Sequence, residues 1–304
     1  MQTVRDTYIW TPFCESVRGA AHIRKNRPNQ DSFWICEGGK TGNGMPMPAV
    51  VAVSDGHGGD KYIRSESGSE LAVGAMRGIA SAMARSESYF SPGMGICDVD
   101  ETAEHVKARL LAQWQNAVDF DLKMYPLTDG EKSFLETHCS KADYISVMEN
   151  NRVVYGCTFL CAIACNNAVL ILQYGDGDIL GLYPDGETYD LTAGDPRNCA
   201  NETLSLCRLT NPAEIRHKSL VTGQLPVLMT ISTDGVKNSF DDLHGGKGNC
   251  FYKIPTDIMK LLVQNDNDIS AVRSVLAGEL KRITADGSGD DVTLGVLYMR
   301  FPTL

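Results

Sequence analysis

Apolar residues in this chain gather into short continuous runs. Positions 49–53 (AVVAV) read as a strand covered on both faces, 153–165, 168–174, 179–183 and 227–232 as further strands, and 32–37 (SFWICE) as a shorter one. A closing strand over 292–298 alternates weakly. Turn residues punctuate the runs at Asn166-Asn167, Gly175-Asp176-Gly177 and Asp185-Gly186. Elsewhere the period is helical. After Asp60, a candidate N-cap, come Tyr62, Ile63, Leu71, Val73, Ala75, Met76 and Ile79. A second helix is predicted over 101–125, with Val106, Leu110, Leu111, Trp114 and Val118 on one face. Shorter helices are expected at 255–263 and 269–283. Positions 86–100 read as a loop and 192–226 as a long, polar surface flap. Strands that cluster, rather than alternate with helices, predict an α+β layered fold with antiparallel sheets. No composition break divides the chain, so 1–304 reads as a single domain.

Composition narrows the classes. The 304 residues carry 28 Lys+Arg against 38 Asp+Glu, a formal charge of −10. A chain of this length buries enough surface to fold without disulfide or metal staples. Its acidic balance argues against a nucleic-acid partner, which calls for a basic footprint. No stretch approaches the ~18 apolar residues of a membrane helix, and no secretory signal is visible before Trp10, so the expected location is cytoplasmic. None of the ten cysteines forms a C-x-x-C pair. They read as reduced thiols, buried as small hydrophobes. Cys157, Cys161 and Cys165 recur every four residues, but in a strand context, which disfavours a thiolate metal site.

The chemistry is suggested by where the aspartates fall. Asp55 follows AVVAVS, Asp176 follows AVLILQYG, and Asp234 follows VLMTIST. Asp290 and Asp291 precede VTLGVLYM, and Asp31 precedes SFWICE. A single Asp-Gly is ordinary turn chemistry. Several aspartates, each abutting an apolar run, can instead be aimed by a rigid sheet into one small volume. Clustered carboxylates repel one another unless cations sit among them, and all-oxygen ligation suits Mg²⁺ or Mn²⁺. In Asp55-Gly56-His57-Gly58-Gly59 the glycines let backbone approach an ion, so the Gly56 carbonyl is a candidate ligand. His57 is a candidate acid, whereas His105 and His138 read as helix-surface residues.

These motifs occur in a familiar order. Asp31-Ser32-Phe33, VVAVSDGHGG, YGCTFL with QYGDGD, STDGV and GDDVTLGVL resemble the metal-dependent protein phosphatases (PPM, or type 2C serine/threonine phosphatases) from about position 19 to 297. The stretches HIRKNRPNQDSF and CANETLSL look more like a bacterial-type branch than the animal enzymes. The resemblance implies a four-layer α-β-β-α sandwich, with two central antiparallel sheets flanked by helices. It also implies a dinuclear Mn²⁺ or Mg²⁺ site and a phosphoserine or phosphothreonine protein substrate. By the same resemblance Asp55 bridges the metals, Gly56 offers its carbonyl, Asp234 and Asp290 complete the carboxylate set, and Asp31 lies near the metal-bound waters. Asp176 matches a position sometimes associated with a third ion, and His57 the proposed general acid.

The chain also departs from the family pattern. Gln30 stands where the family often has Glu, Gly177-Asp178 where it has Ser-Arg, and Asp291 where it has Asn; the last swap adds charge near the metals. Arg24, in preference to Arg27, is the candidate for gripping phosphate. A catalytically weak or inactive module on the same fold is the alternative from another class. A metal nuclease is a third reading, disfavoured by the acidic charge. The oligomeric state is not readable.

Overall fold

The computed structural model of the chain describes residues 9–40, 46–85, 95–165, 167–192, 195, 197, 203–244 and 250–300. The first half holds β1 (Ile9–Val17), α1 (Ala20–Arg24), β2 (Ser32–Cys36), β3 (Gly39–Lys40), β4 (Pro46–Met47), β5 (Ala49–Ser54), α2 (Ser65–Met83), α3 (Ile96–Met124), α4 (Asp129–His138) and α5 (Lys141–Glu149). The second half holds β6 (Phe159–Cys165), β7 (Ala168–Tyr174), β8 (Asp178–Leu182), β9 (Thr188–Asp190), β10 (Arg216–Val221), β11 (Leu228–Ser232), α6 (Asp234–His244), α7 (Ile254–Gln264), α8 (Ile269–Asp286) and β12 (Val292–Arg300).

Two antiparallel five-stranded sheets, ordered β1-β12-β11-β8-β9 and β10-β7-β6-β5-β2, stack face to face. The apolar runs are continuous because each central strand is buried twice. In β5, Ala49, Val51 and Val53 point into the inter-sheet core with Leu160, Ala162, Ile171, Ile231 and Leu297. Val50 and Ala52 point the other way, into a layer built by α2 and α3 with Met76, Leu110 and Trp114. On the far side, α6, α7 and α8 cover β11 and β12 through Val236, Ile258, Leu262, Leu276 and Leu280. The expected four-layer sandwich is observed. Cys157, Cys161 and Cys165 all face the α2–α3 layer as buried thiols. Their four-residue spacing is one face of an extended chain, as the strand context implied.

Four local expectations need correction. Asp60 does not cap α2: the helix begins at Ser65 with no side-chain cap. The intervening turn instead carries Tyr62 over His57, their rings 4.8 Å apart, and sends Arg64 to Glu131. The 153–165 run is a strand only from Phe159; Asn151–Tyr155 is a 3₁₀ turn whose Val153, Val154 and Tyr155 are buried against α2. Close packing replaces strand pairing there: a Cβ on Gly68 would lie 2.1 Å from the Tyr155 carbonyl oxygen. The 192–226 stretch is partly regular. Its residues 216–221 form β10, antiparallel to β7, and two 3₁₀ turns bury Leu206, Cys207, Leu209 and Ile215. As an edge strand, RHKSLV keeps polar residues on its exposed part, which masks it in the sequence. Positions 193–194, 196 and 198–202 of that stretch lie outside the described residues. So do 86–94 of the expected 86–100 loop, whose last residues belong to α3.

Candidate metal centre

Sheet register decides which residues meet. Ser32 of β2 pairs with Ser54 of β5, and Phe159 of β6 with Tyr174 of β7. Ser232 of β11 sits between Asp178 of β8 and Leu294 of β12. Asp31, Asp55, Asp176 and Asp234, one or two residues beyond these pairs, and Asp290, two residues before β12, emerge at the same end of the sandwich. Asp55, Asp176 and Asp234 each offer a carboxylate oxygen, and these atoms lie within 4.8 Å of one another. The backbone of Asp55 is pinned from both sides: its N–H donates to Thr158 Oγ1 (3.0 Å) and its carbonyl accepts from the Thr158 N–H (2.8 Å). Gly56 is required by space, since a Cβ there would come within 2.7 Å of the Gln30 and Ser65 carbonyl oxygens.

The electrostatics are those of crowded, buried carboxyls. Burial, then the charges of Asp31, Asp234 and Asp290, push the Asp55 carboxyl well above the usual range, and it shares a hydrogen bond with Asp234. Asp234 is pushed up to about 6 by burial and by Asp176. Asp31 is pushed up to about 8, chiefly by burial, against the pull of two hydroxyl donors. Those donors, Thr293 (2.7 Å) and Thr233 (2.8 Å), both serve Oδ2. The Oδ1 of Asp31 is buried without a partner among the described residues. A buried carboxylate oxygen lacking any donor, beside carboxyls that must share protons, is the donor set a hard divalent cation would satisfy.

Asp290 and Asp291 divide their roles. Asp291 accepts from the N–H groups of Gly19 and Gln30 (both 2.6 Å) and meets His22 Nδ1 at 2.8 Å. The charge added by this Asp-for-Asn replacement is therefore met locally. It ties the turn before β12 to the segment before β2. Asp290 lies 3.5 Å from His22 Nε2 and remains open to solvent. Asp176 accepts from Thr203 Oγ1 (2.6 Å). Asp178, in the Arg place, faces Lys237 at 3.2 Å, and burial lifts it to about 6.

His57 lies at the edge of the cluster. Its Nε2 is buried without a hydrogen-bond partner among the described residues. Burial first, then the positive charges of Lys61 and Arg208, hold the imidazole down at about 4. Gln30 does not point at a water site: its amide donates to Ser65 Oγ and to the His57 carbonyl, bracing the loop from behind. The two candidate arginines separate. Arg27 is spent on the loop, donating to the Gly58 carbonyl (3.0 Å) and facing Asp60 at 3.8 Å. Arg24 is exposed on α1 beside the turn that holds Gly289. Sequence reading missed His22, Thr233, Thr293 and Tyr62 as parts of the site. The two threonines carry a signal, since each lies within three residues of a motif aspartate; His22 carries none.

Among protein-family models, one described as Protein phosphatase 2C matches residues 18–269. A comparison with curated proteins gives no match. Similar solved structures include the catalytic domain of serine threonine protein phosphatase PstP in complex with 2 manganese ions, at 17% identity and TM-score 0.54 over 96% of this chain and 99% of that one. Serine-threonine phosphatase 2C from Toxoplasma gondii aligns at 15% identity and TM-score 0.55, over 98% and 96%. Stp1 from Staphylococcus aureus aligns at 13% and 0.54, over 99% of both chains. At such identities the structural likeness is one of fold.

Proposed function

The chain belongs to the protein phosphatase 2C family, and from that premise we propose how its own residues perform metal-dependent hydrolysis of phosphoserine and phosphothreonine. It is a metal-dependent serine/threonine protein phosphatase. In our reading Asp55, Asp234 and Asp290, with the Gly56 carbonyl, would hold two Mn²⁺ or Mg²⁺ ions, and Asp176 would help hold a third where one binds. When bound, such ions would lower the pKa of a nearby water and offset phosphoryl charge. Asp31 Oδ1, free of protein donors, accepts a hydrogen bond from the attacking water and orients it. Arg24 reaches from α1 to the phosphoryl oxygens. His57 Nε2 delivers a proton to the departing serine or threonine oxygen. As it stands that imidazole is neutral at pH 7. A phosphomonoester dianion beside it would raise its pKa and charge it, so the acid is made by the substrate it serves.

The observation that carries this reading is the convergence of Asp55, Asp176 and Asp234 on one small volume. With Asp55, Asp234 and Asp290 all present, the inactive-module alternative has no support. The test is hydrolysis of p-nitrophenyl phosphate and a phosphopeptide by the purified chain in excess Mn²⁺. Turnover abolished by chelator and by Asp55→Asn is expected; turnover no higher than that variant's defeats the proposal.

Residues 1–304 are read as one phosphatase domain. Among the described residues no helix is long and apolar enough to cross a membrane. We infer a cytoplasmic setting from the free thiols, and a part in bacterial phosphosignalling from the HIRKNRPNQDSF stretch.

A further inference from the structure

We propose that the cleft beside His57 binds the acidic flank of a phosphopeptide, with Arg208 as the cation that reads it. The inference rests on the phosphatase reading and adds a substrate preference to it. A cleft of about 530 Å³ opens next to His57, within the usual size of a ligand site. Its walls are the 59–62 turn, the start of α5 at Ser140 and Asp143, Tyr174, and the chain from Thr203 to Arg208.

The charges lining it do not cancel evenly. Lys61 Nζ is taken by Asp143 at 2.6 Å. Arg197 is taken by Asp195 at 2.6 Å and Glu214 at 3.5 Å. Asp60 faces Arg27. Arg208 is exposed and makes no ion pair among the described residues. Arg208 lines the cleft together with Lys61, Tyr62 and Asp143, and its charge is felt at all three.

Arg208 also stands on a firm base. Ser205, Leu206, Cys207 and Leu209 around it are buried, and the Leu206 N–H donates to the Cys157 carbonyl at 2.9 Å. The backbone therefore need not be ordered on binding, which saves entropy. A guanidinium pairs with a carboxylate through two parallel hydrogen bonds, a geometry an ammonium cannot copy. On a chain of net charge −10, whose overall field repels acidic peptides, a local unpaired cation gives a selectivity that net charge would not.

The test is steady-state kinetics in Mn²⁺ on one phosphopeptide whose neighbouring residues are acidic, alanine or lysine. Wild type should prefer the acidic-flanked peptide. Arg208→Ala should lower kcat/KM on that peptide about five- to tenfold, through KM, relative to the alanine-flanked one. Arg208→Glu should invert the preference, and Arg208→Lys should restore part of it. An equal loss on all three peptides, or no preference in wild type, overturns the proposal. If wild type turns over none of them, the phosphatase reading fails by itself. Fluorescence anisotropy with the same peptides then judges the cleft, because Arg208→Ala must weaken binding of the acidic peptide alone.

Discussion

His57 and Asp31 show how far single residues could be read from sequence. The meeting of Asp55, Asp176 and Asp234 was legible because each follows a run of buried strand residues. The hydroxyls that hold Asp31 were not: Thr233 lies 202 positions away and Thr293 lies 262 away. Only the fold brings them together. His57 was legible by its glycines, but the pressure on its proton was not, since that comes from burial, Lys61 and Arg208. A residue-scale prediction follows from its proposed role as proton donor. His57→Ala should lower kcat on a phosphoserine peptide by about 10²–10⁴. The same variant should lose far less on p-nitrophenyl phosphate, whose leaving group departs without a proton. Comparing the two substrates by steady-state kinetics checks this; equal losses would remove His57 as the proton donor.

Elements were legible where burial is two-sided and obscure where it is not. β5, β7 and β11 match their apolar runs closely, because both faces of each are covered. β1 was missed: Pro12 and Glu15 break its pattern, and an edge strand tolerates both. The pair α4 and α5 was missed because each buries a single side chain, Leu135 and Val147. What fastens α4 to the start of α2 is Arg64. It donates to both Glu131 carboxylate oxygens (2.8 and 3.0 Å), to the Tyr125 carbonyl (2.7 Å) and to Tyr155 Oη (2.8 Å). Arg64→Ala strands these acceptors and should cost about 2–4 kcal/mol in chemical denaturation. The pair also has a pH signature. The guanidinium holds the Glu131 carboxyl at about 2, below its ordinary 4.5. Its stabilisation is therefore full above pH 4.5 and is lost as pH falls from there toward 2. The stability gap between wild type and Glu131→Gln should close over that window. A gap that persists at pH 2 would contradict the pairing.

At the scale of the molecule, the sandwich holds a set of acids in a protonation state they would not choose in water. Without cations, Asp31 at about 8 and Asp234 at about 6, against an ordinary 3.8, make the folded chain bind more protons than the unfolded one. Stability of the metal-free protein should thus fall as pH rises from about 4 through 8. Mn²⁺ binds only the folded carboxylates and should raise the midpoint of melting. The Mn²⁺-induced shift, measured against chelator, should grow across that pH range; a shift independent of pH would contradict the shared-proton account. The layer order was legible at this scale from the clustering of strands, because a sheet with two hydrophobic faces demands cover on both. The alignment of turns from distant strands at one end follows from register, which no local pattern encodes.

The most direct test is anomalous scattering from a crystal of the protein grown or soaked with Mn²⁺. Two manganese peaks bounded by the carboxylates of Asp55, Asp234 and Asp290 are predicted. Manganese absent from that volume, or bound only elsewhere on the molecule, would contradict the account.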